Sequence, residues 1–385
     1  MLACFVCLAT GAPLGPEMAI GAMASGLASC VAAVLKVDRR TEAAWVFSAM
    51  AGSLGVLFPS PLLGVTLAHE LSVVGRPDGM TLDAIVDKEN ENANDREIST
   101  KSAVDHDFME QVTLAGTAAT CAYIVLHLFP NTMQWNHVIE IDNDYHMFHL
   151  ALAIPLGMLC GLVTSLTLIL LGVFRSVRGK ACEILEEKLG APKWVGRLLF
   201  PTLAGVLHGL LAVWNPFLVS SGIPFVGNLI QNRASKRPGW LFLMALCKAL
   251  SMSLCLGFGL VGGPLIPMAF VGLCIGLACS FLIPLSLALP CCMCATVGAF
   301  VPIPFTLVVC VALALSLTAE QMGPVFVATF VAYALTGGLG VIRGMGERRL
   351  GHFALGDDLI GFVGDDRPSD YSILQGIRYT IFGSP

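Results

Sequence analysis

The chain has 385 residues, of which 56% are hydrophobic and 13% charged, with a formal charge of −5 and a mean hydropathy of +0.77. That composition excludes a water-soluble globular domain, which could not keep so apolar a surface hydrated. It describes a multi-pass integral membrane protein in contact with the lipid bilayer, and it leaves no basic surface for a nucleic acid.

The first residues, MLACFVCLATGAP, are apolar from the start and carry no basic n-region, so they make a poor signal peptide. They read as the end of a membrane segment whose beginning is missing. Apolar stretches follow at about 17–36, 44–71, 112–129, 147–174, 198–218, 240–261, 265–288, 291–318 and 323–343. Each is expected to supply the roughly 20 residues of a spanning helix. Several hold Gly or Pro, and such breaks survive in a membrane only where the freed backbone is buried or lines a polar cavity.

Between these stretches, residues 75–111 carry ten acidic residues against four basic ones and read as a solvated, flexible excursion. Residues 175–197 carry Arg175, Arg178, Lys180, Lys188, Lys193 and Arg197, which points to the cytoplasmic side. A mixed tail follows residue 344. The 14 cysteines are scattered, and even Cys291, Cys292 and Cys294 lack a second half-site. They read as small buried hydrophobes, with no metal and no cofactor expected.

The pattern G-x-P-L-x-P-x4-G occurs twice, as Gly11, Pro13, Leu14, Pro16, Gly21 and as Gly262, Pro264, Leu265, Pro267, Gly272. A second pattern, G-x3-P-x-P, also recurs, at Gly55, Pro59, Pro61 and at Gly298, Pro302, Pro304. Two motifs repeated in the same order describe two copies of one design. Proline suits the first turn of a helix, so each Pro-Leu copy is expected to start a helix abruptly. Helix N-termini present unpaired N–H groups and partial positive charge, and in a low dielectric they attract anions. Two opposed starts would share one dehydrated anion near the midplane. The donors expected are the backbone N–H groups at Leu14–Gly15 and Leu265–Ile266. The fragment Ser220-Ser221-Gly222-Ile223-Pro224 adds hydroxyl and N–H donors at Ser221 and Gly222.

Intramembrane carboxylates, which proton pathways need, are scarce. Glu17 and Glu70, with Glu320 between segments, lie at or near segment ends, where a solvated or snorkelling side chain is expected, and Glu17 and Glu70 are the gating or proton-transfer candidates. Lys248, inside WLFLMALCKALSMSL, is either a snorkelling cation or a source of positive potential along an anion path. His69 beside Glu70 reads as an interfacial pair. No catalytic constellation is visible, and no enzymatic activity is expected.

Taken together, these pieces resemble the CLC family of chloride channels and proton/chloride exchangers. GAPLGPEMAIGAMASG is similar to that family's G-[KR]-E-G-P helix start, and GLVGGPLIPMAFVG to its G-x-F-x-P segment. FSAMAGSLGVLFPSPLLGVTLAHEL resembles the helix with A-x-F-N-A-P-L-x-G-x-x-F-x-x-E-E, and SSGIP falls where a second-half counterpart of G-S-G-I-P would sit. The resemblance implies an all-α, inverted-repeat fold with interrupted helices over residues 1–343. A first-half remnant would occupy 1–130 and a second half 147–343, without the opening helices of the first repeat. It also implies a homodimer with one anion path per subunit, carrying chloride or a similar small anion.

The sequence departs from the family pattern at several places. In this alignment the gating glutamate falls at Leu14, with Glu17 three residues later, and the internal proton-transfer glutamate falls at Leu71, beside Glu70. Leu265 replaces Phe, and Pro264 removes an N–H. The helix bearing the anion-binding serine would precede residue 1, the tyrosine ligand would be Tyr371, and the paired cytosolic domains are not present. On this reading passive, channel-like conduction is expected. The alternatives are a proton-coupled exchanger using Glu17 or Glu70, and a non-transporting truncated subunit.

Overall fold

In the computed structural model, described for residues 2–74 apart from 38, 58 and 59, for 100–128, and for 146–338 apart from 189, 191 and 302, every regular element is a helix. The α-helices are α1 (Leu2–Ala9), α2 (Glu17–Leu35), α3 (Arg39–Leu57), α4 (Leu62–Val74), α5 (Thr100–Leu128), α6 (His149–Glu187), α7 (Lys193–Trp214), α8 (Val226–Gln231), α9 (Pro238–Gly257), α10 (Leu265–Cys279), α11 (Leu285–Phe300), α12 (Pro304–Ala314) and α13 (Ala319–Gly338). Short 3-10 turns at Pro216–Leu218, Ile223–Phe225 and Arg233–Ser235 join α7 to α9.

Glu17–Leu35, His149–Glu187, Trp194–Trp214 and Pro238–Gly257 are long and apolar enough to cross a bilayer. The expectation that every apolar stretch is one full span is corrected. Five described helices have apolar parts of only 10–17 residues, among them Leu265–Cys279, Leu285–Phe300 and Pro304–Ala314. The stretch 265–288 breaks at the turn before Pro284, and 291–318 breaks before Pro304, because proline closes one helix and opens the next. The basic stretch is helical as far as Glu187, where α6 ends. At 1.5 Å per residue that helix is about 58 Å long, well beyond the ~30 Å hydrocarbon layer.

The chain divides into two compact units, and residues up to Ala19 belong with the second-half helices rather than with the rest of the first half. In this larger unit α6 packs on α9, α11 and α13, while α10 lies between α9 and α11. Small residues allow the close approach that drives helix association in lipid. A Cβ on Gly157 or Gly161 would strike the α13 backbone at Ala328 and Ala332, and one on Gly272 or Gly276 would strike α11. Buried hydroxyls add bonds between helices: Thr164 Oγ1 donates to the Thr296 carbonyl at 3.2 Å, and Ser253 Oγ to that of Thr167 at 3.1 Å. One face of α7, including Leu198, Val206, Leu210 and Val213, stays exposed for the lipid.

In the smaller unit, from Ile20 to α5, helices α3, α4 and α5 pack on one another. Gly55 and Gly64 bring α3 and α4 against Ala119 of α5. Helix α5 begins at Thr100, so the acidic excursion is shorter than its composition suggests. Residues 75–99, Pro59, Pro302 and the tail with Tyr371 lie outside the described residues.

Candidate functional site

The two Pro-Leu motifs meet. Gly15 N–H donates to the Gly263 carbonyl at 2.7 Å and Gly263 N–H to that of Gly15 at 2.9 Å, an isolated antiparallel bridge between the repeats. Leu14 N–H turns back to the Ala12 carbonyl at 2.7 Å, and the Leu14 side chain is fully buried where a Cβ on Gly262 would fall. The N–H groups of Leu14 and Gly15 are therefore occupied by backbone carbonyls, which corrects the expectation that they face an anion.

Helix α10 keeps its donors. Pro267 has no N–H, and Met268 N–H closes the first helical bond on the Pro264 carbonyl at 3.0 Å. The free N–H groups of the first turn are those of Leu265 and Ile266, and both face the carboxyl of Glu17. Ile266 N–H donates to Glu17 Oε1 at 3.2 Å. The second oxygen, Oε2, is buried with no hydrogen-bond partner. Glu17 is the first residue of α2, and side chains there lean back toward the preceding segment. The carboxyl thus folds into space that Gly15 and Gly263 leave open, since a Cβ on either would collide with it.

A carboxylate on a helix N-terminus is chemically what a small anion would be in the same place. The family alignment set the carboxylate position at Leu14; in the folded chain the carboxyl on the start of α10 is that of Glu17. Glu17 is only 5% exposed, so the solvated reading of this residue is corrected. Glu70 is likewise 5% exposed, within the smaller unit, while Glu320 is exposed as expected.

A second polar cluster lies in the same unit. Lys248 on α9 is fully buried, so it does not snorkel. Its Nζ donates to the Leu218 carbonyl at 2.8 Å and to that of Ser220, and it lies 5.3 Å from the Phe270 ring centroid. His208 on α7 spans 3.0 Å to the Gly11 carbonyl through Nε2 and 2.6 Å to Ser251 Oγ through Nδ1. A carbonyl only accepts, so Nε2 carries a proton. The Gly11 carbonyl also accepts from Ser220 N–H at 2.9 Å. Sequence reasoning missed Gly263, His208 and Ser251. The Gly262-Gly263 pair before a proline was the available signal for the first. Nothing distinguishes His208 or Ser251 from an ordinary residue in an apolar run.

The family model described as voltage gated chloride channel matches residues 102–337, more than half of the chain. The chain belongs to the voltage-gated chloride channel family. Within that family, chloride channel protein CLC-f of Arabidopsis thaliana is 31% identical over 130 residues, covering 33% of this chain and 16% of the relative. The chain thus matches only a minor part of that curated relative's length. Among solved structures, a slow cyanobacterial Cl−/H+ antiporter matches with a TM-score of 0.63 at 18% identity, covering 90% of this chain and 74% of the other. A CLC-type fluoride/proton antiporter matches at 0.57 and 15%, over 84% and 70%. These likenesses give the chloride-channel fold. The family match includes Leu265 and Ile266 but not Gly15 or Glu17, whose place beside them comes from the geometry.

Proposed function

We propose that this protein moves small anions, of which chloride is the natural choice, across a membrane through the N-terminus of α10. The observation that carries the reading is the Glu17 carboxyl seated on the only two free N–H groups there. The donors have no full positive charge to trap an ion, and their occupant is tethered and displaceable. A carboxyl leaves these donors most readily once protonated, so anion entry and proton uptake compete for one position. That favours proton-coupled exchange over the passive conduction expected when Leu14 was taken as the gating position. The two structural neighbours described as proton antiporters agree with it. The family resemblance further supports a homodimer with one path per subunit, which cross-linking in native membranes would reveal.

The test is reconstitution of the full-length protein in liposomes under a chloride gradient, with chloride and proton movement recorded together. Chloride efflux with opposing proton movement is expected. Selective cation flux, or no anion flux, would overturn the reading, and chloride flux without protons would return it to a passive channel.

A further inference from the structure

The lipid-facing side of the larger unit is not smooth. Between α6, α7 and α9 it is indented by an open groove of about 380 Å³, lined by Phe174, Leu207, Leu210, Leu211, Leu250 and Leu254. One end of the groove is firmly built. There the Phe258 ring meets that of Phe174 at 5.6 Å and that of Phe200 at 5.8 Å, both edge-on. Gly257 brings α9 close to α6 at the same level, since a Cβ on it would strike the Phe174 side chain. Water in so apolar a groove would find nothing to bond, whereas a hydrocarbon chain suits it.

The same end carries a charge. Arg178 follows Phe174 by one helical turn and shares its face of α6, on the side of the basic stretch. Its guanidinium is turned onto α9 rather than out to water: a Cβ on Gly259 would collide with it, and Pro201 of α7 flanks the same glycine. Arg178 is half-buried and forms no hydrogen bond or ion pair among the described residues, although Glu183 and Glu186 lie further along the helix. Depth decides what can answer this charge. Trp194 and Trp214, both exposed, bracket the α7 span as interfacial aromatics do. Pro201 lies about 10 Å beyond Trp194 along the helix, which places Arg178 near the boundary between headgroups and hydrocarbon. A cation there needs a counter-charge, and a lipid phosphate is the nearest supply. The basic residues from Arg175 to Arg197 give this end the pattern of a cytoplasmic face, and anionic lipids gather in the cytoplasmic leaflet.

We propose that the groove binds one anionic phospholipid, an acyl chain lying along its apolar walls and the phosphate held by Arg178. The groove leucines flank His208 in α7 and Ser251 in α9, so the lipid braces the two helices whose bond supports the Gly11 carbonyl. The test titrates the full chain, stripped of lipid in detergent, with dioleoyl phosphatidylglycerol and counts bound lipids by native mass spectrometry. One tightly held lipid per chain is expected, with phosphatidylcholine of the same chains weaker and glycerol phosphate, which has no chain, not bound. Arg178→Gln should weaken phosphatidylglycerol about tenfold, the order of one hydrogen bond to a charged group, and Arg178→Lys should recover much of it. Leu210→Trp, which fills the groove, should weaken both lipids. Arg178 makes no bond within the protein and Leu210 is 66% exposed, so neither variant costs the fold. Arg237→Gln, at the opposite end of α9, should change nothing. Phosphatidylglycerol should raise the melting temperature of the parent protein and not that of Arg178→Gln.

A loss in Arg237→Gln as large as that in Arg178→Gln would mean attraction by surface charge in general and overturns the proposal. So does phosphatidylglycerol binding that neither Arg178→Gln nor Leu210→Trp weakens. Binding of the expected kind in a protein that moves no anion leaves the lipid site standing and removes the function assigned to Glu17, so the two ideas fail separately.

Discussion

Glu17 carries a carboxyl into a place where two glycines have made room for it. Replacing it by glutamine keeps the shape and removes the charge, so Glu17→Gln is expected to keep anion flux while opposing proton movement disappears. Paired chloride-electrode and pH-electrode records of the same liposomes check this, and proton movement that persists would remove Glu17 from the proton path. The glycines make a second prediction. A methyl group at Gly263 falls on the carboxyl, and overpacking of this kind costs roughly 1–3 kcal/mol. Gly263→Ala should melt earlier in detergent and lose proton coupling, whereas Gly205→Ala, which has open space, should do neither. At this scale the sequence shows which residue types form the site but not which atoms face it. The motif pattern lines up Leu14 with a gating carboxylate. Only the turn at Ala12–Leu14 and the bridge at Gly15 bury that leucine and bring Glu17 round. A backbone turn of two residues shifts the register of every side chain after it, and spacing alone does not contain it.

Helix α10 depends on its neighbours for its position. It is too short to cross the layer alone, and its glycines put it in backbone contact with α11. Lipid offers no hydrophobic drive between helices, so this close packing is what holds the donor-bearing end in place. Gly272→Leu is expected to force α10 away from Cys292 and Thr296 and to destabilise the protein by roughly 1–3 kcal/mol. Thr164→Val, which removes one interhelical bond, should cost only about 0.6 kcal/mol. Thermal melts of purified protein separate the two; equal shifts would mean that contact distance is not what fixes α10. Helix starts at Glu17 and Leu265 were readable from proline placement. The interior breaks before Pro284 and Pro304 were not, because a membrane helix tolerates proline whenever its neighbours satisfy the freed carbonyl. Pro155 and Pro201, both inside helices, show that tolerance.

For the molecule as a whole, the sequence repeat implied a first half up to residue 130, yet the first 19 residues pack with the helices after 146. Repeat motifs identify which segments are alike; they do not say which of them pack together. At this scale the pH response follows from one equilibrium. On the proposed reading the ionised Glu17 carboxyl competes with the anion for the N–H donors and the protonated form does not, so anion flux should rise as pH falls. Chloride efflux measured between pH 7.5 and 4.5 checks the sign, and flux that falls with acid would contradict it. The Gly15–Gly263 bridge has a mechanical consequence. Transporters built from repeats often expose their site to alternate sides by rocking one repeat against the other. Here Gly15 and Gly263 lie in one compact unit, and the two motif copies at the site separate only if both reciprocal backbone bonds break. On the proposed reading the moving part is a single side chain turning about its own bonds, and a path gated by so few atoms needs no hinge.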